Sequence, residues 1–320
     1  MQFVISCLHS NQVFIYDEDV SSFIRKRDLK LRNAYDFLHS IRPYKDGYVL
    51  SSTYGIHFLD KELQKPLQSY SHADLSNVHS VDYIADGIFV ISNTGMDELL
   101  FVRLPQNGNE ELEIIHRFDT AAVFGLSKKL PYKDRRNEAR VSASDDHTHI
   151  NCAHIQKRHV KNSNIKNSNI YTAYCALFHM GMILKVQLHI EKFIENNKET
   201  MSIECNILDR IENTGIMIHS SIPQEDTLTI CSSAESLIHV YEKTTKTRIR
   251  SISVPFNAWC RSARIYDKDI VFTAERDREH ISTSKGYAAR MNMDSNELIW
   301  FIELSEEGPF DIEPAIPITP

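Results

Sequence analysis

An all-β fold built from repeated strand pairs is predicted, on three observations. Four segments share one layout: LHSIRPYKDGYVLSS at 38–52, VHSVDYIADGIFVIS at 78–92, IHSSIPQEDTLTICS at 218–232 and, more loosely, WCRSARIYDKDIVFT at 259–273. Each pairs two apolar runs about a turn that carries an Asp seven residues after the opening position: Asp46, Asp86, Asp226 and Asp267. Secondly, the copy at 78–92 continues into ELLFVRL and ELEIIHRF, which makes four strand-like runs within about 40 residues, the length of one β-propeller blade. Thirdly, FVISCLHSNQVFIYD at the start reads as the second half of a repeat, and GPFDIEPAIPITP near the end can supply its missing first strand. The expected architecture is one propeller over 1–320 with six four-stranded blades, closed by pairing the N- and C-terminal strands. Five or seven blades are the alternatives.

Taken in order, the repeat openings are His39, His79, His149, His219 and Cys260, spaced by 40, 70, 70 and 41 residues. The long spacings reduce to about 40 once inserted loops are discounted at about 119–146, 158–170 and 191–201. The first insertion carries Lys128, Lys129, Lys133, Arg135, Arg136 and Arg140, either a solvated loop or a contact for an acidic partner; the second holds the duplication KNSNI-KNSNI. The basic stretch 22–32 reads as a connection between the shared blade and the first complete one.

Composition narrows the function classes. With 42% hydrophobic residues the chain can bury a large core. Its net charge of -7, from 36 basic and 43 acidic residues, argues against nonspecific nucleic-acid binding. No apolar run approaches the roughly 18–20 residues that span a bilayer, and the first residues lack the basic and apolar regions of a secretory leader. Six single cysteines without a CxxC pair read as reduced thiols. A cytoplasmic monomer is expected, with a small-molecule substrate or a protein as partner and with neither nucleic acid nor membrane.

The layout resembles six-bladed propellers of the NHL, SMP-30-like lactonase and streptogramin-lyase kind, whose repeats open with a His or small residue, pass an Asp-Gly turn and end a strand in Ser or Thr. That resemblance implies a divalent metal near the central channel. The Glu/Asn/Asp ligand set of the lactonases is absent, so their activity is not implied. The sulfotransferase-type and lyase-type propellers, with His residues at the channel mouth, are closer in kind.

The chemistry then rests on the openings. Equivalent positions on successive blades face one another across the axis, so His39, His79, His149 and His219 are candidate ligands for a divalent ion (Zn, Fe, Mn, Ni or Ca), with positions left for water or substrate. Structural histidines that hold strand geometry through a neighbouring Ser or Asp are the alternative. Arg261 can orient an anionic substrate, Asp82 can act as base or support a ligand, and His147, alternating with His149 along a strand, can add a ligand or an acid/base. No GxSxG, P-loop, GxGxxG or HExxH pattern occurs. The expected function is that of a metal-dependent enzyme of hydrolase, lyase or oxygenase type; the alternative is a noncatalytic propeller that binds a protein or small ligand.

Overall fold

Tight turns set the first hairpin of each repeat. Asp86 (φ 52°) and Gly87 (φ 78°) are both left-handed, the backbone of a two-residue turn whose twist matches the flanking strands. Lys45 and Asp267 hold the same conformation in their own hairpins. A computed structural model describes the chain except residues 66–67, 106–110, 128–133, 135–145, 158–167, 196–197, 276–285, 305–307 and 317–320.

The described residues form six four-stranded antiparallel sheets and no α-helix. The shared blade runs β24 (Pro309–Pro314), β1 (Gln2–Cys7), β2 (Gln12–Asp17) and β3 (Ser22–Asp28). Next come β4 (Leu38–Tyr44), β5 (Gly47–Ser52), β6 (Gly55–Asp60) and β7 (Gln68–Ser71), then β8 (Val78–Ala85), β9 (Ile88–Asn93), β10 (Glu98–Arg103) and β11 (Glu113–Asp119). The fourth blade holds β12 (Ile150–Lys157), β13 (Ser168–Leu177), β14 (Met182–Glu195) and β15 (Lys198–Ile211). Blades five and six are β16 (Ile218–Pro223) to β19 (Arg248–Ser253) and β20 (Trp259–Tyr266) to β23 (Leu298–Leu304). The inner strands neighbour one another in the order β24, β4, β8, β12, β16, β20 and back to β24. Pairing of Phe3 with Pro314 and Ser6 with Asp311 closes the ring, as expected from the two chain ends.

Two stretches differ from expectation. The 22–32 connection contains β3, the outermost strand of its blade. Its largely exposed side chains leave no apolar alternation, and Lys and Arg on such an edge discourage pairing with another chain. The expected loop at 191–201 continues the hairpin of β14 and β15, with Glu191 opposite Ser202 and Glu195 opposite Lys198. The basic residues expected to form a charged loop (Lys128, Lys129, Lys133, Arg135, Arg136 and Arg140) lie outside the described residues, as does most of the KNSNI duplication.

One device recurs at the axis. Each inner strand bulges near its start, so that a side chain is re-aimed at the channel. The irregularities fall between Leu38 and Ile41, Val78 and Ser80, Ile150 and Cys152, Ile218 and Ser221, and Cys260 and Ser262; in β24 the extra residue is Phe310. In the five complete blades the residue before the re-aimed position is apolar and fully buried: Leu38, Val78, Ile150, Ile218 and Cys260. The residue after it stitches blade to blade. Asp311, Ser40, Ser80 and Cys152 accept hydrogen bonds from the backbone N–H of Ile41, Val81, Ala153 and Ser221 on the next inner strand.

Candidate functional site at the channel mouth

The bulge register makes His39, His79, Asn151, His219, Arg261 and Phe310 the equivalent positions. His149 lies two residues ahead of its blade's position, and Arg261, one residue after Cys260, takes the place expected for the cysteine. The repeat spacing of 70 matched His149 to its neighbours, but Ile150 pairs with Leu177 as Val78 pairs with Asn93.

Even so, all four opening histidines reach the mouth. The ring centroids of His39 and His79 are 4.6 Å apart, and those of His79 and His149 5.2 Å. Phe178 bridges onward, 4.9 Å from His149 and 5.2 Å from His219, which packs edge-on to Trp259 at 5.4 Å. The Arg261 guanidinium lies over Trp259 and Phe310, and Phe310 returns to His39 at 5.0 Å. A belt of rings, closed by the Arg261 guanidinium, therefore lines this end of the channel. Edge-to-face pairs, such as Phe178 and His219 at an interplanar angle of 90°, contribute about 0.5–1.5 kcal/mol beyond their burial.

Hydrogen bonds set the tautomers. The Thr94 hydroxyl donates to the Ile150 carbonyl at 2.6 Å, so it accepts from His79 Nδ1–H at 2.9 Å. Ser233 does the same for His219, donating to the Cys260 carbonyl and accepting from Nδ1–H at 2.8 Å. Nε2 is thus the acceptor nitrogen of both rings; that of His219 takes an N–H from Arg261, whose other nitrogen pairs with Glu275 at 2.8 Å. Replacing Thr94 by Val is expected to cost about 1–3 kcal/mol, because the His79 donor loses its buried acceptor. Urea unfolding measures this, and ¹⁵N imidazole shifts report the released tautomer.

One cluster stands out in donor chemistry. Asp146 accepts from His149 Nδ1 at 2.7 Å and from His179 Nε2 at 2.9 Å. Burial would raise the Asp146 pKa, but these two hydrogen bonds hold it below the ordinary carboxylate value. The three ligating atoms lie within 4.8 Å of one another, and among the described residues this is the group of His, Cys, Asp or Glu able to hold a metal ion. His39, His79, His149 and His219 do not make such a group, since Phe178 separates His149 from His219 and Arg261 occupies the Nε2 of His219.

The cluster is positioned by Asp97. Its carboxylate accepts from the N–H groups of His147, Thr148 and His149 at 2.7, 2.7 and 3.1 Å, and from the Thr148 hydroxyl at 2.6 Å. The segment 146–149 is consequently a clamped turn, with His149 at φ 49°. The expected strand alternation fails here: His147 turns to the Ser127 carbonyl at 3.0 Å while His149 turns to Asp146. Asp82, three residues past His79, belongs to the other end of the channel, where it accepts from Ile155 N–H and burial raises its pKa.

His179 was not among the sequence candidates. It lies between β13 and β14, and the corresponding turns of other blades bring Thr94 and Ser233 to the same mouth, a positional signal already present in the repeat. Phe178, the first residue after β13 as Thr94 and Ser233 are after β9 and β17, and Phe310, at the axial place of β24, hold repeat positions as well, whereas Trp259 lacks such a signal.

No family model matches the chain, and no curated protein matches it in sequence. Similarity to solved structures runs over its whole length. A protein of unknown function from Bacteroides caccae has a TM-score of 0.60 at 10% identity, with 98% of both chains covered. A chain of a nidogen–laminin complex has 0.58 at 8% identity, also with 98% of both covered. A functionally unknown protein from Desulfotomaculum acetoxidans has 0.52 at 10% identity, with 99% of both covered. These likenesses support the propeller fold and extend no further.

Proposed function

We propose that the mouth of the propeller is a metal centre, in which Asp146, His149 and His179 hold one divalent ion for Lewis-acid or water-activating chemistry on a small polar or anionic substrate. The observation that carries this reading is the two-imidazole, one-carboxylate set, a donor mix suited to Zn, Fe or Mn that leaves coordination positions open. Binding of the ion would replace the two N–H bonds to Asp146, with His149 Nδ1 and His179 Nε2 giving up their protons, while Asp97 holds the backbone on which two of the three donors stand. His79, whose ring centroid lies 5.2 Å from that of His149, offers its acceptor nitrogen beside the cluster, and Arg261 stands further along the belt, where it can orient an anionic group.

The test is metal content of untagged protein and its response to added ions. About one equivalent of bound metal is expected, with a rise in melting temperature on adding Zn, Mn or Fe(II) and loss of both in His179→Ala and Asp146→Asn. Protein that stays metal-free and is not stabilised by any of these ions would refute the reading. One observation favours a second reading. Asp146 already takes two good hydrogen bonds, so the trio can serve as a clamp in a propeller that binds a protein or small ligand without catalysis. In that case the variants lose stability without any dependence on metal.

A further inference from the structure

Three residues beyond the re-aimed positions, the same six strands build a second ring: Arg42, Asp82, His154, Ile222, Arg264 and Glu313. It surrounds a cavity of about 200 Å³ at the far end of the channel, with the exposed Pro43 at its rim. We propose that this cavity binds a small zwitterion, a molecule with one carboxylate and one ammonium group such as a free α-amino acid.

The argument is one of charge and unmet hydrogen bonding. Arg42 is 6% exposed and lines the cavity; Nη1 bonds Asp311 and Glu313, and Nη2 lies 3.0–3.1 Å from the His154 ring. Its Nε–H has no hydrogen-bond partner among the described residues. A buried donor left unmet costs about 1–3 kcal/mol. Arg264, paired with Glu313, stands on the same ring as a second cation. Of the ring's carboxylates, Glu313 is paired with both guanidiniums, and Asp82 completes the charged lining. A lone anion would face these carboxylates, and a lone cation would face two guanidiniums. A ligand with both charges can satisfy both signs at once. His154 adds no charge, since burial, with Arg42 and Arg264 beside it, pushes its pKa well below the ordinary histidine value. In volume the cavity holds roughly six waters, enough for a small amino acid but too little for a nucleotide.

Calorimetric titration of untagged protein in EDTA with the standard free amino acids tests this, independently of any metal at the mouth. Saturable binding of at least one is expected, weakened about tenfold or more in its amide and in the amine lacking the carboxylate. Asp82→Asn should weaken it comparably. Ile222→Phe fills the cavity without touching a charge and should abolish it, with circular dichroism and melting temperature confirming the fold. Absence of binding by every amino acid, equal binding of amide or amine, or undiminished binding by folded Ile222→Phe would each overturn the proposal.

Discussion

Arg42→Met is expected to destabilise the protein by about 3–5 kcal/mol at pH 8, because it removes one partner of a buried charge network and strands Asp311 and Glu313. Burial alone would lower the Arg42 pKa, but the two carboxylates raise it above the ordinary value. Glu313 makes the effect depend on pH. Burial pushes its carboxyl up to about 7 from 4.5, so the native state binds a proton more tightly than the unfolded chain. A raised pKa gives a contribution that is complete below pH 4.5 and is lost as pH rises through 7. The Arg42→Met penalty should therefore shrink toward pH 5, where Glu313 is neutral. In the same window, Glu313→Gln should gain on the native protein as pH rises, by up to about 3 kcal/mol. Urea unfolding of the three proteins from pH 5 to 8 measures both trends. A penalty independent of pH would show that Glu313 does not titrate there.

The second large effect is expected at Asp97. Its carboxylate, 1% exposed, accepts four hydrogen bonds from residues 147–149. Asp97→Ala strands those donors and should cost about 3–5 kcal/mol, beyond the loss from a surface cap. Asp97→Asn is expected to cost less, since its amide oxygen replaces Oδ1, although its NH₂ then meets the His147 N–H. If the mouth holds a metal, Asp97→Ala should also lower its affinity, because His149 and Asp146 lose their fixed separation. A melting temperature unchanged in Asp97→Ala would rule out the clamp.

The blades were legible because the repeats state the same physics: an apolar inner strand, a tight turn, left-handed at Lys45, Asp86 and Asp267, and a second apolar strand. Outer strands such as β3 were not, since one solvated edge needs no alternation. At the mouth, His39, His79 and His219 share a true register, whereas the histidines at 147 and 149 invited a strand reading of a segment that Asp97 holds as a turn. Asp146 stands next to these histidines in the sequence, but its pairing with His179, 33 residues on, depends on the return of β13 toward the mouth.

The sequence by itself determined that this chain is all-β, that its blades repeat, that its ends share one of them, and that histidines gather on the axis. Each of these follows from local periodicity. Only the tertiary structure decided which histidines share a carboxylate, which residue takes the axial place in each blade, and that the two ends of the channel differ. The mouth is a belt of imidazole and aromatic rings; the far end is a ring of paired charges. The physical reason is the bulge. One extra residue at the start of each inner strand turns a side chain toward the axis, and no count of residues along the chain reveals where that residue falls.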